Sequence, residues 1–241
     1  MKLYRDVALV IRRQDLGEAD RIITLLTRSH GKVRGVAKGI RRTKSRFGGR
    51  LELGNYVDVQ LYRGKNLDSI TEVVVMRPYA QQLMNNYSAY TSAHAMCELI
   101  DRIMFNDEDA DVRQFNLLHG AMNALAKAHY DSHLLFNSYV LRSMALAGWA
   151  LSIDTCAECA SPSVVFFDVR RGGMLCGECG AYCSLKPRRQ TLTLLSALFV
   201  GNWDLAMKSS QQSRNEVNDL VNAHMHWHME RSLRSLSLLE G

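Results

Sequence analysis

The chain has 241 residues, 47% of them hydrophobic and 22% charged, the balance of a protein that buries a core. Its first apolar run, residues 7–11, is too short for a signal peptide and is closed by Arg12 and Arg13. No stretch approaches the roughly 18 apolar residues of a membrane span, so a cytoplasmic protein without membrane contact is expected.

Residues 1–80 read as strands. Short apolar or alternating runs at 6–12, 20–27, 31–37, 55–62 and 67–76 are separated by turn signals at Asp15-Leu16-Gly17, Ser29-His30-Gly31 and Arg63-Gly64-Lys65-Asn66. The fourth run alternates cleanly, with Val57, Val59 and Leu61 on one face and Asp58, Gln60 and Tyr62 on the other. Five short strands suit a small closed barrel of the OB type, with an SH3-like barrel as the alternative. After Pro78 the period changes, and helices are expected over 83–105, 112–129, 134–149, 188–199 and 215–239, with an acidic turn at Asn106-Asp107-Glu108-Asp109. The expected class is therefore α+β: a five-stranded barrel domain over 1–78 and a helical domain over 79–241, the latter carrying a cysteine ribbon at 154–183.

Charge is segregated along this plan. Residues 1–80 hold 17 Lys and Arg against 8 Asp and Glu, and the other 161 hold 13 against 16. That imbalance points to a polyanion meeting the barrel while the rest does other work. Its centre is residues 38–50, where Lys38, Arg41, Arg42, Lys44, Arg46 and Arg50 occur with no carboxylate between them. Glycines at both ends suggest a mobile loop that moulds to phosphates, and Phe47 offers a stacking surface for an unpaired base. OB barrels bind single strands on strands 2 and 3, flanked by the 1–2 and 4–5 loops. This places Arg21, Lys32, Arg34, Arg63 and Lys65 among the candidate DNA contacts, with Tyr56 and Tyr62 as stacking candidates.

Cys156, Cys159, Cys176 and Cys179 form the frame C-x2-C-x16-C-x2-C. Two such knuckles wrap one Zn²⁺ with four thiolates, which closes the coordination sphere and makes the metal a fold element rather than a catalyst. Cys183 is a spare thiol whose capacity to replace a ligand is open, and Cys97 lies on an apolar helical stripe. His224 and His228 share a helix face, but Met225 stands where H-E-x-x-H needs Glu. His94-Ala95-Met96 departs from the H-x-E of zinc deaminases. The chain has no phosphate-binding Gly-rich loop and no nucleophile elbow, so no enzymatic activity is expected.

In that setting the chain resembles the RecO family of bacterial recombination-mediator proteins along essentially its whole length. The resemblance rests on Leu16-Gly17-Glu18-Ala19-Asp20-Arg21, on Gly31-Lys32-Val33-Arg34 running into Ala37-Lys38-Gly39, and on Gly172-Gly173-Met174-Leu175-Cys176 within the cysteine frame. The last match is Arg231-Ser232-Leu233-Arg234-Ser235. It implies an OB fold, a helical C-terminal domain and an embedded zinc ribbon. It further implies binding of single- and double-stranded DNA at the nucleoid, annealing of complementary strands, contact with the acidic tail of single-stranded DNA-binding protein, and action with RecR to load RecA. Arg102, Arg113 and Arg142 are the helical cations placed to receive that tail. The rival reading is a zinc-containing nucleic-acid-modifying enzyme that uses the barrel to dock its substrate.

Overall fold

The computed structural model describes residues 2–104 and 110–229. The expected acidic turn at 106–109, the end of the last expected helix and the segment 231–235 lie outside the described residues. Strands β1 (Leu3–Leu16), β2 (Asp20–Thr27), β3 (Lys32–Ala37), β4 (Tyr56–Tyr62) and β5 (Asp68–Arg77) close a barrel in the order β1-β2-β3-β5-β4, with β4 returning to β1. Every pairing is antiparallel except β3 with β5, where Gly35 faces Asp68 and Val36 faces Ser69. This is the OB-type closure expected from the five short strands.

The alternation explains the closure. Ala8 and Val10, Ile23 and Leu25, Val57, Val59 and Leu61, and Ile70 and Val73 all point inward and form one buried cluster. Leu9 and Ile11 of β1 face outward yet are buried as well. Helix α2 (Tyr87–Ile103) packs across β1, bringing the Cys97 thiol to 3.9 Å from the Val10 carbonyl and Asp101 to 3.2 Å from Arg12. A strand covered on both sides reads as a continuous apolar run, which is how residues 7–11 look in the sequence.

Two compact units emerge. The first holds the barrel with α1 (Tyr79–Leu83), α2 and α3 (Val112–Lys127) up to Ala128. Asn86 and Asp111 cap α2 and α3 by accepting backbone N–H bonds, which fixes where those helices start. Secondary structure changes at Pro78, as the sequence suggests; α2 packs on β1, and α1 and α3 pack on α2 and on each other, so the compact division falls after Ala128.

The second unit begins at His129. It contains α4 (Ser132–Leu146), α5 (Arg189–Val200), α6 (Trp203–Met207), α7 (Gln211–Met229) and a ribbon of β6 (Phe166–Asp168) paired with β7 (Gly173–Leu175). Helix α4 is apolar nearly all round because it packs on both α5 and α7. At Gly173, φ +133, backbone runs against backbone in the ribbon: a Cβ there would stand 2.3 Å from the Ser152 carbonyl oxygen.

In the segment His224-Met225-His226-Trp227-His228, His224 and Met225 are buried while His226 and Trp227 are exposed. His224 is buried, its Nε2 donates to the Trp149 carbonyl at 2.9 Å, and His228 stacks on the Trp149 ring. Burial first, and His228 second, push the His224 pKa down to about 4. The unfolded chain takes up this proton near pH 6.5, and the folded chain refuses it until about pH 4. Stability is therefore lost as pH falls through that window, by roughly 3 kcal/mol in all. Chemical denaturation between pH 7 and 4 should show this slope, and a His224→Gln variant should lose much of it.

Candidate nucleic-acid interface and metal centre

The loop from β3 to β4 carries the cations, and hydrogen bonds and two buried apolar side chains tie it to the barrel. Gly39, at φ +70, donates its N–H to Asp20 at 2.7 Å; Arg42 N–H reaches the Gly39 carbonyl and Ser45 N–H the Arg42 carbonyl. Phe47, expected as a stacking surface, is only 1% exposed and sits with Leu51 in the barrel core. The reason is hydrophobic: burying a ring this size is worth roughly 2–3 kcal/mol, more than leaving it open to solvent. A 3₁₀ turn, Gly48–Leu51, delivers Leu51 to that core, and Asn55 donates to the carbonyls of Gly49 and Arg50.

With the apolar anchors turned in, Lys38, Arg41, Arg42, Lys44, Arg46 and Arg50 are all turned out. Among the described residues no ion pair engages Lys38, Arg42, Lys44 or Arg46, while Arg41 lies 3.4 Å from Asp15. Asp15 also accepts from Arg21 at 2.8 Å, and that bond above all holds its carboxyl below the usual range. Arg21 is thus partly engaged within the barrel.

The strand face is less open than its residue types suggest. Lys32 is on β3, but its ammonium donates to the Asp101 carbonyl at 3.0 Å and lies 3.6 Å from the Asp101 carboxylate. It is committed to holding α2. Arg34 is exposed on the same strand. In the β4–β5 loop Arg63 and Lys65 are exposed, and the Arg63 guanidinium lies over the Tyr4 ring at 5.4 Å. Tyr62 stays outward, whereas Tyr56 packs its ring 4.4 Å from His119 and 6.2 Å from Phe115.

The four cysteines converge in the second unit. Their Sγ atoms lie within 4.8 Å of one another, and Cys159 and Cys176 are 3.7 Å apart. Four Zn–S bonds of about 2.3 Å at tetrahedral angles would set the sulfurs about 3.8 Å apart, so the residues present fit such an ion. The two knuckles are built alike: the Ala160 N–H bonds the Cys156 carbonyl and the Gly180 N–H the Cys176 carbonyl, both at 2.9 Å. Amides also face the sulfurs. The Cys159 N–H foremost draws the Cys156 thiol down to about 6. Cys179 is pushed up, chiefly by its thiol contact with Cys176. One thiolate in this nest discourages the next, and a bound dication would let all four ionise together.

Arg171 received no role from sequence reasoning, yet it ties the knuckles together. It pairs with Glu158 inside the first and donates to the Cys179 carbonyl of the second at 2.6 Å. Only its place beside the Gly172-Gly173 turn hinted at this. Cys183 stands apart, 3.9 Å from the Asp168 carboxylate and outside the group of four. Of the partner candidates, Arg102 pairs with Glu98 one turn away, Arg113 with the capping Asp111, and Arg142 is exposed on α4. Among the described residues no helix is long and apolar enough to cross a membrane.

A closed OB-type barrel with an outward cationic loop, and a helical unit with a four-cysteine ribbon able to hold a metal ion, define the class of protein. Comparison with known proteins agrees at both ends of the chain. The family description "Recombination protein O N terminal" matches residues 1–79, and "Recombination protein O C terminal" matches residues 84–237. A DNA repair protein RecO from Thermobifida fusca is 45% identical over 241 residues, covering all of this chain and 99% of the relative. A DNA repair protein RecO from Streptomyces griseus is 43% identical over 247 aligned residues, covering all of both chains. The chain belongs to the RecO family of DNA repair proteins.

Proposed function

We propose that the protein is a non-enzymatic recombination mediator. It binds single- and double-stranded DNA, anneals complementary strands, and works with RecR to load RecA onto DNA coated by single-stranded DNA-binding protein, in the cytoplasm at the nucleoid. The observation that carries this reading is the set of six outward cations on a loop fixed to the barrel by Phe47 and Leu51. Two strands brought together repel through their phosphates. A cationic rim that takes counterion positions on both lowers that repulsion and leaves the bases free to pair. Arg34, Arg63 and Lys65 extend the same surface, with Arg21 contributing when released from Asp15.

The four cysteines hold Zn²⁺ in this reading. When bound, the ion supplies charge neutralisation for four thiolates and no open coordination position, so it serves the fold. Arg102, Arg113 and Arg142 receive the acidic tail of single-stranded DNA-binding protein, each exchanging a local partner or solvent for the tail's carboxylates. The family membership and the names of the relatives support the repair role.

The test is annealing. Complementary oligonucleotides, each precoated with single-stranded DNA-binding protein, should become duplex in the presence of this protein without ATP, followed by fluorescence energy transfer between end labels. No acceleration over the protein-free control would refute the mediator reading.

A further inference from the structure

Beside the cationic loop the first unit has a groove of about 1120 Å³ that no role described so far uses. Arg13 and Arg50 line one side, and Met84, Tyr87, Tyr90 and His94 the other. Tyr87, Tyr90 and His94 are spaced three and four residues apart on one face of α2, and Met84, just after α1, joins them in the groove lining. A stripe of that composition is ordinarily core. Here Met84 is 70%, Tyr87 64% and Tyr90 39% exposed.

We propose that this groove seats unpaired bases of single-stranded DNA, with Tyr87 and Tyr90 as the stacking surfaces. The inference rests on the DNA-binding reading above and adds a strand-selective site to it. Three observations favour this occupant. Gly49 and Arg50 belong both to the cationic loop and to the groove wall, so a strand with phosphates on the loop enters the groove next. Among the described residues Glu52 is the only carboxylate lining the groove and it is paired with Arg13, while Arg50 bonds only to the Arg46 and Val73 carbonyls and keeps its charge uncompensated. Tyr87 and Tyr90 are one helical turn apart, about 4.5 Å along the axis, somewhat more than the roughly 3.4 Å rise of a stacked strand. His94, 4.3 Å behind Tyr90, holds that ring in place. Flat rings over a charged rim accept any base, because every base offers a π face.

The proposal separates single strands from duplex, since paired bases have no free face to offer. The full-length protein carrying Tyr87→Ala and Tyr90→Ala is compared with the unaltered protein by fluorescence anisotropy. Three labelled probes of equal length are used: an oligothymidine, its abasic counterpart and a duplex. Affinity for oligothymidine should fall about tenfold or more, with the abasic and duplex affinities within about twofold and the salt slope unchanged. The Tyr87→Phe, Tyr90→Phe pair, which keeps both rings, should restore oligothymidine binding. Equal affinity of the Ala variant for oligothymidine, or equal loss on the abasic probe, would overturn the proposal while leaving the cationic loop's role intact. So would an acidic peptide with an apolar end that binds in a Tyr87- and Tyr90-dependent way without displacing oligothymidine. Failure of the unaltered protein to bind any of the probes would instead remove the wider DNA reading.

Discussion

Replacing Arg41, Arg42, Lys44 and Arg46 together by Ala should lower DNA affinity by about two orders of magnitude near 0.1 M salt. The plot of log affinity against log salt should flatten by up to about 3. Each phosphate contact contributes roughly 0.7 to that slope on a single strand and 0.9 on a duplex. The full sum is not expected, since Arg41 shares Asp15 with Arg21 and Arg46 lies over the Phe47 ring at 4.9 Å. All four side chains are exposed, so the melting temperature should hold and the loss can be assigned to binding. Titrations at several salt concentrations decide the matter: an unchanged slope would clear the loop of phosphate contact.

Removing Cys176 and Cys179 as Ser should abolish metal retention and unfold the ribbon. The ribbon's own buried cluster is Cys156, Leu175 and Cys176, with Phe166, Cys179 and Cys183 packed partly against it. Two three-residue strands over a core that small cannot repay the ordering of their backbone. Metal ligation, worth about 10–16 kcal/mol in zinc-finger peptides, is the term large enough to do so. The double variant should therefore emerge metal-free, and trypsin should cut at Arg170 and Arg171 faster than in the parent. Because ligation needs thiolates, mild acid should release the metal from the parent and produce the same cleavage. A variant that stays protease-resistant without metal would show that the ribbon stands by itself.

Local pattern carried most of the fold. The second strand runs over residues 20–27 as its apolar run suggests, and alternation in β4 put Val57, Val59 and Leu61 inside. The cysteine frame was legible for the same reason, since its ligands are set by short-range turns. Pairing across long sequence distances was not. Nothing near Lys32 reveals that Asp101, 69 residues on, will take its ammonium. Phe47 sits in a run of cations and looks like part of their surface, yet the barrel needed a plug and the ring supplied it. Helices α1 and α6 have five residues each, too short for a period to show. The exposed tyrosine stripe on α2 carries the same spacing as a core stripe, and only the position of the barrel tells them apart.

The loop between β3 and β4 divides its labour residue by residue. Ile40, Phe47 and Leu51 are held by the barrel interior, and the cations between them touch it little. Nucleic-acid affinity and barrel stability can therefore be altered independently. A lineage adapting to a different salt concentration can add or drop Lys and Arg on this loop without refolding anything. A substitution at Phe47 would affect both at once.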